Sequence, residues 1–304
     1  MSQSFVDLHS HSTASDGTFA PTEVVKLAVN NGLSALALTD HDTIGGIAEA
    51  AAAAKNLNID FLPGIEISAE YPPPGTMHIL GYGVDPQSAT LKALTTQLLA
   101  GRGDRNPQII AKLNHLGVAV SMAEWQAQAN GGVLGRPQLA AILLRKGYVT
   151  SIKQAFDKYI GQGAPAYADK ERLTPAKALE MIRESGGLPV LAHASQLRTE
   201  NDAQLDTVLK GLVDLGLAGI EVLHSDHDAA WVEKCTKLAE RYNLLKTGGS
   251  DFHGTNKKDI NLGTAHGRKI PRAYFDELVD RLSSHTPVTA TPPSPLPSTP
   301  HADH

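Results

Sequence analysis

Histidines and carboxylates stand where short apolar runs of the sequence end, and these residue types bind metal ions. The run at 5–9 ends in His9 and is followed by His11. Both imidazoles face one side of an extended strand, because side chains alternate with a period of two. Other apolar runs lead into acidic and imidazole side chains in the same way. The candidate ligands are His9, His11, Asp16, His41, Glu66, His78, His193, Asp251 and His253.

This ligand set narrows the chemistry. Imidazole and carboxylate without thiolate exclude thiolate-rich structural zinc and iron–sulfur sites, and they fit Mn²⁺, Fe²⁺ and Zn²⁺. Nine candidates exceed what one ion can hold, so several ions are expected, with carboxylates such as Glu66 and Asp251 bridging them. A multinuclear site of this kind binds phosphate oxygens and lowers the pKa of a bridging water, which supplies hydroxide for in-line attack.

Each ligand motif is weak by itself. A single histidine beside an apolar run is more often a core or surface residue, and the Asp-His-Asp sequence at 40–42 is common in loops that cap helices. What favours a site is that six strand ends carry residues of ligand type. Their simultaneous occurrence would otherwise require independent coincidences.

Seven apolar runs are predicted as strands, at 5–9, 34–39, 59–68, 77–84, 188–193, 218–224 and 244–253. Segments of helical spacing separate most of them, with Pro21 and Thr174 at helix starts and Gly32 and Gly186 at helix ends. This alternation predicts an α/β fold with a mostly parallel sheet, in which functional groups collect at the carboxyl ends of the strands. His78 begins its run instead of ending it, so its strand is expected to run antiparallel, or the residue to approach from a loop.

Residues 88–160 interrupt the alternation with several successive helical segments and are predicted to form an inserted helical subdomain over one end of the sheet. The barrel domain is then expected to comprise residues 1–87 and 161–285. The stretch 286–304 is rich in Pro, Ser and Thr and is predicted to be a disordered tail.

Composition limits the function classes. The 304 residues carry a net charge of −5, so no global basic field predicts binding to duplex DNA or to an anionic membrane. No apolar run is long enough to span a bilayer, and the N-terminus lacks the order of a signal peptide, which favours a cytoplasmic protein. The single Cys235 lies in a helical pattern and is expected to be an inert thiol.

Six segments together resemble the PHP (polymerase and histidinol phosphatase) family. They are Asp7-Leu-His9-Ser-His11, Leu38-Thr-Asp40-His41-Asp42, Pro63-Gly-Ile-Glu66-Ile, His78-Ile, Leu191-Ala-His193 and Gly249-Ser-Asp251-Phe-His253. The resemblance spans residues 5–253. It implies a distorted seven-stranded β/α barrel that holds three divalent ions, Mn²⁺ foremost with Fe²⁺ or Zn²⁺ as alternatives, and a bridging hydroxide nucleophile.

The resemblance also implies how the ligands divide among the ions, with Glu66 bridging. By position, the three sets are His9, His11, Glu66 and Asp251; Asp16, His41 and His253; and His78 with His193. One departure is visible, because Ala194 stands where the family often has proline. We expect the imidazole of His193 to bind as before and the following loop to differ in shape.

The helical insertion contains Arg102, Arg105 and Arg136, whose guanidinium groups match phosphate geometry. For any single arginine, a solvated helix face is the commoner explanation. The arrangement nevertheless resembles the PHP branch that hydrolyses nucleoside 3′,5′-bisphosphates and trims short 5′-phosphorylated RNA, in which inserted arginines grip the phosphate that is not cleaved. Tyr167 and Lys170 follow the insertion and are predicted to join this substrate site.

Two further residues are predicted to take part in catalysis. His224 ends its strand and is expected to contact the scissile phosphate or to protonate the leaving group, although a buried polar role is an equal alternative. Asp40, which precedes His41, is the second.

The leading hypothesis is a phosphatase that removes the 3′-phosphate of nucleoside 3′,5′-bisphosphates, such as 3′-phosphoadenosine 5′-phosphate. The alternatives are a 5′-to-3′ exoribonuclease on short 5′-phosphorylated RNA, a histidinol phosphatase, and a non-catalytic metal-binding relic. The expected partner is therefore a small phosphorylated nucleotide, with short RNA as the alternative.

Overall fold

The structure is a computed structural model that describes residues 4–129, 133–169 and 172–284. The predicted tail at 286–304 and the predicted substrate residue Lys170 lie outside the described residues. Among the described residues, no helix is both long enough and apolar enough to cross a membrane.

One sheet of nine strands forms the framework, in the order β7-β6-β5-β4-β3-β2-β1-β9-β8. The strands are β1 Phe5–Asp7, β2 Leu33–Leu38, β3 Asp60–Ala69, β4 Met77–Tyr82, β5 Leu188–Leu191, β6 Gly219–Leu223, β7 Leu245–Gly248, β8 Thr264–Ala265 and β9 Arg268–Pro271. Strands β1, β2 and β3 run parallel, as do β5, β6 and β7. Strand β4 runs antiparallel to both β3 and β5, which is one of the two arrangements expected for the strand of His78.

The sheet curls until β7 meets β1 again. The Leu8 amide donates to the Gly248 carbonyl at 3.2 Å, and Ser10 and Phe252 form a parallel bridge just beyond the two strands. The seven strands β1 to β7 therefore form the expected distorted barrel. The short strands β8 and β9 were not predicted. Strand β9 pairs antiparallel with β1 and with β8, so the two strands extend the sheet beyond β1.

Ten α-helices surround or extend the barrel in the described residues. They are α1 Pro21–Asn30, α2 Ile47–Leu57, α3 Ala89–His115, α4 Met122–Ala129, α5 Arg136–Arg145, α6 Ile152–Ala155, α7 Pro175–Glu184, α8 Asp202–Asp214, α9 Ala229–Arg241 and α10 Arg272–Ser284. A π-helical turn covers Phe156–Ile160. The predicted helix boundaries are confirmed at Thr174, whose hydroxyl accepts from the Lys177 amide, and at Gly32 and Gly186, which take positive φ angles of 72° and 81°.

The first part of the predicted helical region at 88–160 forms a single long helix, α3, of 27 residues that contains Pro107. Tertiary packing explains the continuity. Leu91, Leu94 and Leu98 join the hydrophobic cluster around β3 and β4. One further part of the helix, including Leu113, joins a separate cluster with residues of α4 and α5. One continuous helix thus contributes to two hydrophobic cores.

Five predicted strands are shorter than expected, namely β1, β4, β5, β6 and β7, and the difference is largest for β7. Strand β1 ends at Asp7, and β7 ends at Gly248, so residues 249–253 form a loop. The reason is steric: Gly249 passes so close to His9 that a Cβ there would lie 2.1 Å from the Cβ of His9. Asp251 then takes a φ of 58°, which turns the chain out of the extended conformation.

Candidate metal centre and substrate cavity

Glu66 lies at the centre of the predicted ligand set. It belongs to β3, has no solvent-exposed surface, and directs its Oε2 atom towards three imidazoles. Oε2 lies 2.9 Å from His41 Nδ1, 3.2 Å from His11 Nε2 and 3.3 Å from His9 Nε2. Histidines that follow two strands, β1 and β2, therefore converge on one carboxylate oxygen of β3.

The second oxygen of Glu66 faces a different pair. Oε1 lies 2.8 Å from His78 Nδ1 on β4 and 2.9 Å from His193 Nε2, which follows β5. Because the two oxygens face different histidines, Glu66 has the geometry of a carboxylate that bridges two ions.

Asp251 completes the group around His9 and His11. Its Oδ1 atom lies 3.2 Å from His11 Nε2 and 3.6 Å from His9 Nε2, the same two nitrogens that face Glu66 Oε2. Its Oδ2 atom accepts from Lys257 Nζ at 2.5 Å. Asp251 thus faces the candidate metal position with Oδ1 and the lysine with Oδ2.

A third group forms around Asp16, on the loop after β1. Asp16 Oδ1 lies 3.2 Å from His253 Nε2 and 4.0 Å from His41 Nε2. Donor atoms of these residues and of His11 all lie within 4.8 Å of one another. All nine predicted ligands therefore fall into groups compact enough to hold a metal ion.

The unpaired polar atoms of this cluster show that it fits metal ions. His9 Nε2, His11 Nε2, His41 Nδ1 and Glu66 Oε2 are all buried and make no hydrogen bond, although each of the three nitrogens lies within 3.3 Å of Glu66 Oε2. Burying such groups without a partner is costly. Bound divalent cations would satisfy all of them, since each offers a lone pair to the same space.

Electrostatics of the cluster favour positive charge. Burial alone would raise the pKa of the Glu66 carboxyl, but the neighbouring histidines, His41 first, hold it well below its usual value. Burial acts to lower the pKa of His11, yet the carboxylates of Asp251 and Glu66 raise it to about 9. In the metal-free protein these carboxylates favour a proton on His11; the same field attracts a divalent cation.

Two other ligands favour the neutral form, because burial affects them more than the neighbouring carboxylates do. Burial lowers the pKa of His193 and of His253 to about 4. Metal ions bind neutral imidazole, so both side chains are in the binding form across the physiological range.

Asp40, predicted as catalytic, occupies a different position. Its carboxylate accepts from the Ser12 amide at 2.8 Å, from the Ser12 hydroxyl at 2.7 Å and from the Ser15 hydroxyl at 2.5 Å. Both oxygens are thereby committed to the loop that carries Asp16. This geometry suits a residue that positions a ligand loop; the catalytic role of Asp40 stays a prediction.

His224 follows β6 and lies beside the cluster. Its Nδ1 atom accepts from the Asp226 amide at 3.0 Å, so in the neutral ring the proton is on Nε2. Nε2 is buried and lies 3.4 Å from Asp251 Oδ2. The side chain can therefore present an N–H to a group bound at the cluster.

The predicted arginines lie beside the cluster in one cavity of about 160 Å³. Arg102 binds Asp42 Oδ2 at 2.5 Å, which ties helix α3 to the residue after His41. The cavity joins three predicted metal ligands to the three arginines and is lined by Asp16, His41, Ser68, His78, Arg102, Arg105, Gly135, Arg136, Pro137 and Phe156.

The guanidinium groups of Arg105 and Arg136 donate to neutral oxygens, and these contacts do not offset their positive charge. Arg105 donates to Asn106 Oδ1 at 2.7 and 3.1 Å, and Arg136 donates to the Ile160 carbonyl at 3.1 Å. Burial, followed by the charges of Arg102 and Arg136, lowers the pKa of Arg105 to about 9. An anion placed between these groups would relieve both the repulsion and the desolvation.

Tyr167 lies behind the arginines. Its ring carries the Arg136 guanidinium at 5.2 Å, and its hydroxyl donates to Asp169 at 2.8 Å and accepts from Arg172 at 3.3 Å. It therefore supports Arg136, and its place in the substrate site stays a prediction.

Sequence reasoning missed Glu221, Asp42 and Lys257, which contact predicted site residues. Glu221 contacts two of the histidines, Asp42 holds Arg102, and Lys257 holds Asp251. Asp42 lay within the quoted Asp-His-Asp segment, so a signal was present. Glu221 lies inside a strand and Lys257 in a loop without a motif, so neither stood out.

The chain is similar to several known enzymes that act on phosphate esters. The chain is 33% identical over 281 residues to a 3′,5′-nucleoside bisphosphate phosphatase of Chromobacterium violaceum, covering 91% of this chain and 97% of that protein. It is 36% identical over 250 residues to a 5′-3′ exoribonuclease of Haemophilus influenzae, covering 81% and 89%. It is 33% identical over 251 residues to a phosphoribosyl 1,2-cyclic phosphate 1,2-diphosphodiesterase of Eggerthella lenta, covering 82% and 94%.

Two solved structures share the fold of this chain over most of their length. A candidate metal-dependent phosphoesterase from Bifidobacterium adolescentis superposes with a TM-score of 0.83 at 28% identity, covering 92% of this chain and 97% of that one. A Chromobacterium violaceum protein with bound sulfate superposes with a TM-score of 0.81 at 32% identity, covering 91% and 97%. The PHP domain model matches residues 7–161. The chain therefore belongs to the PHP domain family and is a metal-dependent hydrolase of phosphate esters.

Proposed function

We propose that the protein removes the 3′-phosphate of nucleoside 3′,5′-bisphosphates. The supporting observation is the shared cavity, in which Asp16, His41 and His78 lie opposite Arg105 and its neighbouring arginines. A substrate with two phosphates fits such a cavity, because one can bind at the metal cluster and the other at the guanidinium groups. The similarity to a nucleoside bisphosphate phosphatase supports the same choice.

The proposed roles follow from the positions of the side chains. When bound, divalent ions would polarise the phosphate oxygens and supply a hydroxide nucleophile. The arginines bind the 5′-phosphate and so orient the 3′-phosphate towards the cluster. His224 presents an N–H at Nε2 that can donate a hydrogen bond to the scissile phosphate. Protonation of the departing 3′-oxygen would require the imidazolium form of this ring.

The number and identity of the ions belong to this proposal. Three ions, Mn²⁺ foremost, would match the three ligand sets that the resemblance implies. These sets are His9, His11, Glu66 and Asp251; Asp16, His41 and His253; and His78 with His193. We also propose that residues 88–160 act as the substrate cap on a barrel of residues 1–87 and 161–285, and that the protein works in the cytoplasm.

Phosphate release tests the proposal. Mn²⁺-loaded protein should release phosphate from 3′-phosphoadenosine 5′-phosphate and leave AMP, while His9→Ala and Asp251→Asn should not. Adenosine 3′-monophosphate is the matched substrate, because it lacks only the group that the arginines bind. It should show a higher KM; equal KM values for the two compounds would contradict the assignment of the arginines.

Exoribonuclease activity is a second candidate, favoured by the similarity to the Haemophilus influenzae enzyme. The same arginines would then grip the 5′-phosphate of a short RNA. A 5′-phosphorylated oligonucleotide should be shortened to mononucleotides, and its 5′-hydroxyl counterpart should be spared. Equal degradation of the two would count against this activity.

A further inference from the structure

Glu221 is a buried carboxylate outside the nine predicted ligands, and it lies close to two histidines of the site, His9 and His224. It lies in the middle of β6 and is 0% exposed. Its Oε1 atom lies 3.0 Å from His9 Nδ1, and its Oε2 atom accepts from the His193 backbone amide at 2.8 Å. One side chain thus contacts two predicted ligands that come from different strands.

The contact with His9 sets the chemical form of that ring. Because Nδ1 donates its proton to Glu221, the lone pair of the neutral imidazole is on Nε2. Nε2 is the atom that lies 3.3 Å from Glu66 Oε2 and 3.6 Å from Asp251 Oδ1. Glu221 therefore aims the metal-binding nitrogen of His9 at the two carboxylates of its group.

The contact with His193 sets its backbone. His193 has φ 23° and ψ 65°, an unusual conformation for a residue with a side chain. The hydrogen bond from its amide to Glu221 holds this turn, and the turn places Nε2 at 2.9 Å from Glu66 Oε1. This hydrogen bond connects the backbone of His193 to the neighbouring strand β6.

We propose that Glu221 is a positioning residue for two of the three ions. It fixes the tautomer of His9 and the backbone of His193, and so supports the two ions these ligands serve; the ion of Asp16, His41 and His253 does not depend on it. This inference rests on the three-ion site proposed above. A fully buried carboxylate is costly to retain, and its two contacts with ligands give it a purpose that packing alone does not.

Metal binding by Glu221→Gln tests the inference. The amide keeps the size of the side chain but removes its charge and one of its two acceptor oxygens. Metal-free protein is titrated with Mn²⁺ by calorimetry, and the bound metal is counted after gel filtration. We expect two ions to bind about 10- to 100-fold more weakly and one to bind as in the wild type. Glu221→Asp, which keeps the charge but is shorter, should lose less.

Thr247→Val is the matched control, because Thr247 is the register partner of Glu221 on β7 and makes neither of its contacts. It should bind Mn²⁺ like the wild type. Equal weakening of all three ions in Glu221→Gln, or unchanged affinity with a lower unfolding temperature, would overturn the inference. Since the titration does not use a substrate, absence of phosphatase activity in the wild type would contradict the proposed function alone.

Discussion

At the scale of single residues, opposite charges are segregated within one small cavity. Carboxylates and imidazoles lie on the barrel side, and guanidinium groups lie on the helical side. Arg102 is partly neutralised by Asp42, whereas Arg105 donates to a neutral amide. Arg105 is therefore the guanidinium with most to gain from a phosphate.

We expect Arg105→Gln to raise the KM for a nucleoside bisphosphate about 10- to 100-fold, because a hydrogen bond to a charged group contributes about 1.5–3 kcal/mol. The kcat should change less, since Arg105 binds the phosphate that is not cleaved. Arg145→Gln, at an exposed position of α5, is the control and should leave the KM unchanged. Steady-state kinetics of phosphate release measure both; a fall in kcat at constant KM would be the contrary result.

The pKa of His11 predicts how metal binding depends on pH. Its pKa in the metal-free protein is raised to about 9, so below that pH an ion must displace a proton. Burial acts to lower the pKa of His9, yet three neighbouring carboxylates, Glu221 first, likewise raise it well above its usual value. The affinity for Mn²⁺ should therefore rise with pH at least up to about 9. His193 and His253, with pKa values lowered to about 4, add no proton release in this window.

Calorimetry in buffers of different ionisation enthalpy measures both the affinity and the protons released. His115→Gln, at the exposed end of α3, should leave the pH dependence unchanged. An affinity for Mn²⁺ that stays constant between about pH 7 and 9 would show that His11 is not protonated in the metal-free protein.

At the scale of elements, close backbone contact holds the ligands in register. The loop after β7 lies directly against the segment that carries His9, and only a residue without a side chain fits at position 249. This contact places Asp251 beside His9. The geometry of one ligand pair therefore depends on a glycine that binds nothing itself.

Gly249→Ala should destabilise the fold by at least about 1–3 kcal/mol and weaken Mn²⁺ binding, because the new Cβ forces the loop away from His9. Gly211→Ala is the control within α8, where a Cβ would meet nothing within 4 Å. It should stabilise the protein by about 0.5–1 kcal/mol, since alanine favours a helix. Denaturant unfolding measures both; similar effects of the two substitutions would contradict the steric account.

At the scale of the whole molecule, the metal cluster joins distant parts of the chain. Its ligands come from the ends of most strands of the barrel, and helix α3 connects that barrel to the hydrophobic cluster of the insertion. Bound ions would therefore cross-link segments separated by more than 200 residues, such as His9 and Asp251.

Removal of metal should lower the melting temperature. An ion present at 100 times its Kd contributes about 2.7 kcal/mol, which corresponds to about 4 °C per ion in a chain of this size. Differential scanning calorimetry with and without EDTA measures the shift, and EDTA already saturated with Mn²⁺ is the control. An unchanged Tm after complete removal of metal would contradict a stabilising role of the ions.

Much of this architecture follows from local patterns in the sequence. The period of two places His9 and His11 on one side, and the alternation of apolar runs with helical segments predicts an α/β barrel with ligands at its strand ends. These features depend on residues close together in the chain. They can therefore be derived before the path of the chain is known.

The tertiary structure alone decided the antiparallel direction of β4, the continuity of α3 through Pro107, and the position of Asp40 on the Ser12 loop. It also decided that Glu221 meets His9, 212 residues away. These contacts arise when the barrel closes, and no local periodicity encodes which distant side chains the closure brings together. The sequence by itself determined which residues can bind metal; the closed barrel decided how they are grouped and held.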